Sequence, residues 1–467
     1  MLMLLSRLVA CMVLLGGILS FAVPCFATTE PVPSSQPSAV IINDVVERAE
    51  PTAPQTRYVF RQGTQFIAPD GHPVRLKGIN LGNWLLPEGY MFKFDPSVTP
   101  LTIYNIVQQL IGGQDAQDFW QRFRALYVGR NDISFIKRAG FNSIRVPFDY
   151  RFFANETKKQ PIFAQGYELL DKIIEWSGEA GLYVILDMHV APGGQTGGHI
   201  DDSFGQPALF DDPANQRLAI RIWREIAERY RDEPTVLGFD LLNEPIAHFV
   251  DTGYYNPKLE PFYKEAVSAI RQVNQNHIIF LSGAQWGGNF NVFGEVFDDN
   301  VAYTFHEYWS DPTQTTIQKY LDFRRSHNVP LWLGESGQNT FAWIQEMRVL
   351  LEEHDIGWAF WPYKNLDSKA SVMSFNQPEN WQSIVEFANR YSLDPDAAIL
   401  SVPPREVVLK ALNDYLENVR FENVYANEEY LSALGLALRH EQISENTPLH
   451  VSEPDKVSNC AANAAGC

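Results

Sequence analysis

Two glutamates end short apolar runs in this chain, and a pair of carboxyl groups can do chemistry that neither does alone. Glu244 follows the run Val236-Leu-Gly-Phe-Asp-Leu-Leu-Asn243 and precedes Pro245, and Glu335 follows Leu331-Trp-Leu-Gly334. Apolar runs of this length, bounded by turn signals, predict buried strands. A carboxylate at the C-terminal end of such a strand faces the mouth of a parallel barrel, where active sites are built. Two of them from separate strands make the acid and the nucleophile or base that cleaves a glycosidic bond. Taken singly, each could equally be an unrelated loop carboxylate, so the neighbours have to decide.

The neighbours repeat the pattern. Strands are predicted at residues 76–80, 142–147, 183–189, 236–243, 278–282, 302–308, 331–334 and 358–361. The second carries Arg145, the third ends on His189, the fourth supplies Asn243 beside Glu244, and the eighth ends on Trp361. On the sixth, His306 and Tyr308 are two apart and share one face, while Glu307 points away and reads as structural. Amphipathic helical stretches lie between them, among them 167–176, 218–230 and 340–353. Eight strands alternating with helices predict an α/β fold, the (β/α)8 TIM barrel. The alternative, an open doubly wound sheet, lacks a Gly-rich phosphate loop after its first strand. A small hairpin (58–60 with 65–67) precedes the barrel, a helix at 405–418 is expected to close its ring, and 428–440 suggests another helix outside.

At 467 residues, 45% hydrophobic and 20% charged, the chain has room for a large core. Its net charge of −19, with no basic block, argues against nucleic acid and anionic membranes as partners. Arg7, the apolar stretch 8–23 and Pro24-Cys-Phe-Ala27 read as a secretory signal peptide, residues 1–27, and imply a secreted or periplasmic product. That stretch is short for a membrane span. Its removal would take Cys11 and Cys25 and leave Cys460 and Cys467, a pair able to close only a small loop. Residues 28–56 read as a Pro/Ser/Thr-rich linker, 57–420 as the catalytic domain, and 421–467 as a C-terminal helical extension with a polar tail.

Asn-Glu-Pro on the fourth strand, His-x-Tyr on the sixth and Gly-Glu on the seventh are weak signals alone. In this order they are specific, and over roughly residues 58–364 the chain resembles glycoside hydrolase family 5. The resemblance implies a retaining β-glycosidase with Glu244 as acid/base and Glu335 as nucleophile. It implies substrate binding by Arg145, His189, Asn243, His306, Tyr308 and Trp361, with no metal and no other cofactor. Gly78-Ile-Asn-Leu-Gly-Asn-Trp84 and Met188-His-Val-Ala-Pro-Gly-Gly-Gln195 resemble the exo-glucanase branch of that family. A monomer that trims β-glucan chains from their ends is therefore expected, with β-1,3 linkage ahead of β-1,4. Trp84, Trp286, Trp309 and Trp361 are candidates to stack against sugar rings. An endo-acting cellulase or mannanase on the same fold is the alternative. A binding barrel without catalysis would need a replacement at Glu244 or Glu335. Gly334-Glu-Ser336-Gly337 lacks the Gly-x-Ser-x-Gly spacing of an acyl hydrolase.

Overall fold

The structure, a computed structural model, describes residues 56–154 and 163–438. The signal peptide, nearly all of the linker, the tail after residue 438 and the Cys460/Cys467 pair lie outside the described residues.

A hairpin of β1 (Phe60–Gln62) and β2 (Gln65–Ile67) leads into eight strands. They are β3 (Lys77–Asn80), β4 (Ser143–Asp149), β5 (Tyr183–Val190), β6 (Val236–Asp240), β7 (Ile278–Ser282), β8 (Val301–His306), β9 (Leu331–Glu335) and β10 (Gly357–Phe360). All neighbours pair in parallel, and β10 returns to β3 through Phe360 opposite Ile79, so the sheet closes into a barrel. The expected TIM barrel is the observed fold.

Strand alternation divides the side chains between two cores. Val184 and Leu186 of β5 and Ile279 and Leu281 of β7 point outward into the layer shared with the helices. Ile185, Leu237, Ile278, Phe280 and Trp332 point inward and fill the lower lumen, which Phe66 of the hairpin caps. One step further along the strands the inward positions turn polar, with Asn80, Arg145, Asp187 and Asp240, each 0% exposed. The lower half of the lumen is thus an apolar plug, and the upper half is a polar floor for whatever sits in the mouth.

Three features depart from the sequence expectation. The β7–β8 connection, residues 283–300, contains no helix, only the isolated bridges Gly283–Gly287 and Ala284–Asn289. The helix Arg405–Asn418 does not close the ring; it packs on Pro100–Ile111, Gly113–Tyr127 and Trp381–Leu393 in a lateral helical layer. The reason is its aromatic content: Tyr415 lies 4.7 Å from Trp381 and 5.4 Å from Phe92, ring to ring, which draws the helix into that cluster. Beside it β11 (Lys364–Leu366), β12 (Met373–Phe375) and β13 (Tyr425–Ala426) form a small separate sheet. The helix expected at 428–440 runs only over Glu428–Ala433 and lies against Phe341–Glu353.

Candidate active site

At the upper end of the barrel a single cation organises the polar floor. Arg145 is fully buried on β4 and uses all three guanidinium nitrogens. Nε donates to Asp240 Oδ2 at 2.9 Å; Nη1 donates to Asn80 Oδ1 at 3.1 Å and Glu335 Oε1 at 2.5 Å. Nη2 donates to Asn243 Oδ1 at 2.9 Å and lies 3.0 Å from Asp187 Oδ1. Burial works against its charge, but Asp187, Asp240 and Glu335 outweigh burial and push its pKa up. Conversely, burial pushes the Asp187 and Asp240 carboxyls up, against the pull of Arg145.

Arg145 also orders its neighbours. Because Asn243 spends its oxygen on Arg145, its amide nitrogen faces His189 Nε2, 3.1 Å away, and donates to it. The His189 hydrogen must then sit on Nδ1, which donates to Asp187 Oδ2 at 2.7 Å. Burial pushes the pKa of His189 down to about 4, in keeping with this neutral tautomer. Glu335 is held on both oxygens, since the Tyr308 hydroxyl donates to its Oε2 at 2.8 Å. His306 Nδ1 and Glu244 Oε1 share a hydrogen bond of 2.9 Å, and burial pushes the pKa of His306 down to about 3.

Glu244 differs from Glu335 in its surroundings. Its side chain is 14% exposed, and no arginine pairs with it among the described residues. Burial pushes its pKa up to about 7, against the pull of His189 and Arg145, with Asp201 adding to the rise. One oxygen from each of Glu244 and Glu335 lies within 4.8 Å of the other. Carboxyl groups that flank a sugar in retaining glycosidases stand about 5–5.5 Å apart, whereas the inverting arrangement needs about 6.5–9.5 Å. The two carboxyls are thus close enough to act on one sugar.

Trp361, just past β10, stacks on His189 with ring centroids 5.6 Å apart and planes 19° off parallel. Its indole N–H donates to the Tyr90 hydroxyl at 2.6 Å, and Gln338 Nε2 donates to the same oxygen at 2.5 Å. The ring fits because residue 82 is glycine: a Cβ there would stand 2.5 Å from Trp361 Cζ2. Trp286 anchors its N–H on His248 Nδ1 at 3.0 Å and packs 6.1 Å from Phe249, while Trp309 is 78% exposed. Trp84 requires a correction. It is buried, and its N–H donates to the carbonyl of Arg124 on an outer helix at 2.8 Å. The cause is that the chain after β3 continues along β4, with Leu85 bridged to Phe148, which turns Trp84 toward the helix layer. It has no face to offer a sugar. Glu307, set aside as structural, accepts hydrogen bonds from Tyr320 and Ser310, and Ser336 donates to its carbonyl, so neither Glu307 nor Ser336 faces the pair.

Sequence reasoning passed over Asn80, Asp187, Asp240 and the loop residues Glu88 and Tyr90. The first three could have been found from strand alternation, since Asp187 lies two before His189 on the same face. Glu88 has a buried oxygen without a hydrogen-bond partner; burial, then Glu335 and Glu244, push its pKa well up. Two trios among the described residues have cation-binding spacing: Asp187, His189 and Glu335, and Glu244, His306 and Glu335. Both use Glu335, whose charge Arg145 already meets.

A family model for cellulase, glycosyl hydrolase family 5, matches residues 113–367, more than half of the chain. The chain belongs to glycosyl hydrolase family 5. It is a glycoside hydrolase. Among family relatives, a beta-xylosidase of Phanerodontia chrysosporium is 26% identical over 352 residues, 68% of this chain and 72% of that protein. Endoglucanase C of Acetivibrio thermocellus is 26% identical over 303 residues, 52% of this chain and 85% of the relative. A probable glucan 1,3-beta-glucosidase A of Neosartorya fischeri is 27% identical over 270 residues, 54% of this chain and 61% of the relative. No helix among the described residues is long and apolar enough to cross a membrane.

Proposed function

We propose that this family 5 enzyme is an exported, retaining β-glucanase that works from chain ends, with Glu335 as nucleophile and Glu244 as acid/base. The roles rest on the contrast between the two carboxyls. Both oxygens of Glu335 are held by donors, Arg145 and Tyr308, which fixes a carboxylate for in-line attack. Glu244 keeps its proton to about 7 and so can protonate a leaving oxygen in neutral solution. The sign of the pH effect follows. In kcat/KM the activity falls as pH rises through about 7, when Glu244 loses the proton it must give. A pH profile with an unactivated substrate measures this, and a flat profile to pH 9 would remove Glu244 from that role.

Chain-end action rests on the Tyr90 hydroxyl. It ties the loop after β3 to Gln338 after β9 and to Trp361 after β10, and we read these joined loops as a wall across one side of the mouth. Glu88 stands in the same loop, near the charges of both catalytic candidates. A sugar whose chain continued in that direction would meet the wall, so the site favours a terminal unit. Trp286 and the exposed Phe249 follow β7 and β6 on the Glu244 side, where a leaving sugar would stack. The names of the relatives support β-linked substrates of both chain-end and internal type, and the 1,3-glucosidase supports placing β-1,3-glucan first.

Sizing of early products decides it. A soluble β-1,3-glucan should release glucose or a short oligosaccharide with little loss of viscosity. Rapid thinning of neutral hydroxyethylcellulose with few reducing ends would show internal cleavage and replace the chain-end reading. Export through residues 1–27 belongs to the same proposal and rests on Arg7 and the apolar stretch after it.

A further inference from the structure

The segment that carries Glu244 is not in a conformation it would choose for itself. Glu244 has φ +46° and Ile246 has φ +57°, so two non-glycine residues on either side of Pro245 lie in the left-handed region. Such residues are strained and persist only when the surroundings hold them. The dipeptide Gln195-Thr196 holds one side of the segment, and Gln285 holds the other, its N donating to Ile246 O at 2.8 Å. Gln195 Nε2 donates to Asn243 O at 2.9 Å, Ile246 N donates to Gln195 O at 2.9 Å, and Ala247 N donates to Thr196 O at 2.8 Å.

Gln195 is fully buried and its carboxamide is saturated. Oε1 accepts from Ala191 N at 2.9 Å, and the second Nε2 hydrogen goes to His189 O at 2.8 Å. One side chain therefore joins the exits of β5 and β6, the strands that lead to His189 and Glu244. The dipeptide is fixed in turn by Asp201, 1% exposed. Its Oδ2 accepts from Gln195 N and Thr196 N, both at 2.6 Å. Its Oδ1 accepts from Thr196 Oγ1 at 2.8 Å, Ser203 N at 3.1 Å and Ser203 Oγ at 2.5 Å. A carboxylate with five donors is a rigid anchor, and a loop rich in glycine needs one.

We propose that Gln195, held by Asp201, is a positioning residue that sets where the Glu244 carboxyl stands relative to the leaving oxygen. The proposal rests on the acid/base reading of Glu244. It touches neither substrate nor the reacting atoms. Its effect on the Glu244 carboxyl passes through proton transfer, and that separates it from a merely structural brace. Misplacing a catalytic group by about 1 Å can cost on the order of 10²-fold, but only where the leaving group needs a proton.

The experiment compares Gln195→Ala, Glu244→Gln and the unaltered enzyme on 2,4-dinitrophenyl β-glucoside, which leaves without help, and on an alkyl β-glucoside, which does not. For Gln195→Ala the expected kcat/KM loss is on the order of 10²-fold on the alkyl glucoside, with kcat/KM for the dinitrophenyl substrate much less affected. The alkaline limb should also move to lower pH, because water reaching Glu244 lowers the desolvation that raises its pKa. Equal losses on both substrates with an unmoved limb would overturn the positioning role. If Glu244→Gln itself showed no dependence on the leaving group, the acid/base reading would fall instead, so the two failures are distinguishable. Should Gln195→Ala not fold, Gln195→Glu keeps the shape and the acceptor for Ala191. As a carboxylate it opposes the carbonyls of His189 and Asn243; once protonated it can donate to one of them. Its deficit on the alkyl glucoside, relative to the unaltered enzyme at the same pH, should shrink as pH falls. A constant deficit would overturn the proposal.

Discussion

Glu335→Gln should abolish turnover by on the order of 10³-fold or more while leaving the fold intact. The amide oxygen can still face Arg145 Nη1 and its nitrogen can still meet the Tyr308 oxygen, so the hydrogen-bond frame around residue 335 survives. What disappears is the carboxylate that would form the glycosyl bond. A slow 2-deoxy-2-fluoroglucosyl reagent should add one sugar mass to the unaltered enzyme, mapped by peptide analysis to Glu335, and none to the variant. Proton NMR of the first product should show the β anomer. An α anomer appearing first, or a label on another residue, would reject the retaining mechanism or the assignment.

The largest expected effect on stability is at Arg145. Arg145→Met removes the one cation among Asp187, Asp240 and Glu335 and leaves three carboxyls facing one another in a dry lumen. Breaking a buried ion pair by deleting one partner costs about 3–5 kcal/mol, a large part of a typical net stability. The denaturation midpoint should drop accordingly at unchanged slope. Arg145→Lys is the sharper test. Lysine keeps the charge on one nitrogen, but arginine reaches five partners with three. Lysine should therefore lose both stability and activity. A lysine variant with the original midpoint and kcat/KM would show that charge alone suffices and that the fork geometry is unimportant.

How far these groups could be read beforehand depended on where the chain announces them. Strand exits are legible because an apolar run stops at a polar residue, and the strand expected at 278–282 is found as Ile278–Ser282. The helix Arg405–Asn418 has the expected bounds, yet its place was misjudged because periodicity gives a buried face and not the partner of that face. The helix Thr252–Arg271 holds Pro257 and Pro261 in its interior, where proline is disfavoured, so its sequence does not announce it. The family pattern brought Arg145, His189, Asn243, Glu244, His306, Tyr308, Glu335 and Trp361 into view, and the structure brings these side chains together at one end of the lumen. Trp84 was misread because its motif says nothing of which way the ring turns. Gln195 was visible only as part of a Gly-rich loop, since its partners are backbone carbonyls that a sequence does not mark.

The crowd of acids around Arg145 has a further consequence, for what the mouth will admit. Asp187, Asp240 and Glu335 face one guanidinium, with Glu244 and Glu88 close by, so once the pH is high enough to ionise the buried Asp187 and Asp240 the carboxylates outnumber the one cation. A chain end bearing a uronate, sulfate or carboxymethyl group would enter against that field, whereas a neutral hexose is indifferent to it. A ring-shaped amine that carries a proton where the sugar develops positive charge would be drawn in. The residues that hold Glu335 would therefore sort visitors by charge before any hydroxyl is read, and salt should soften the sorting for the charged ones alone.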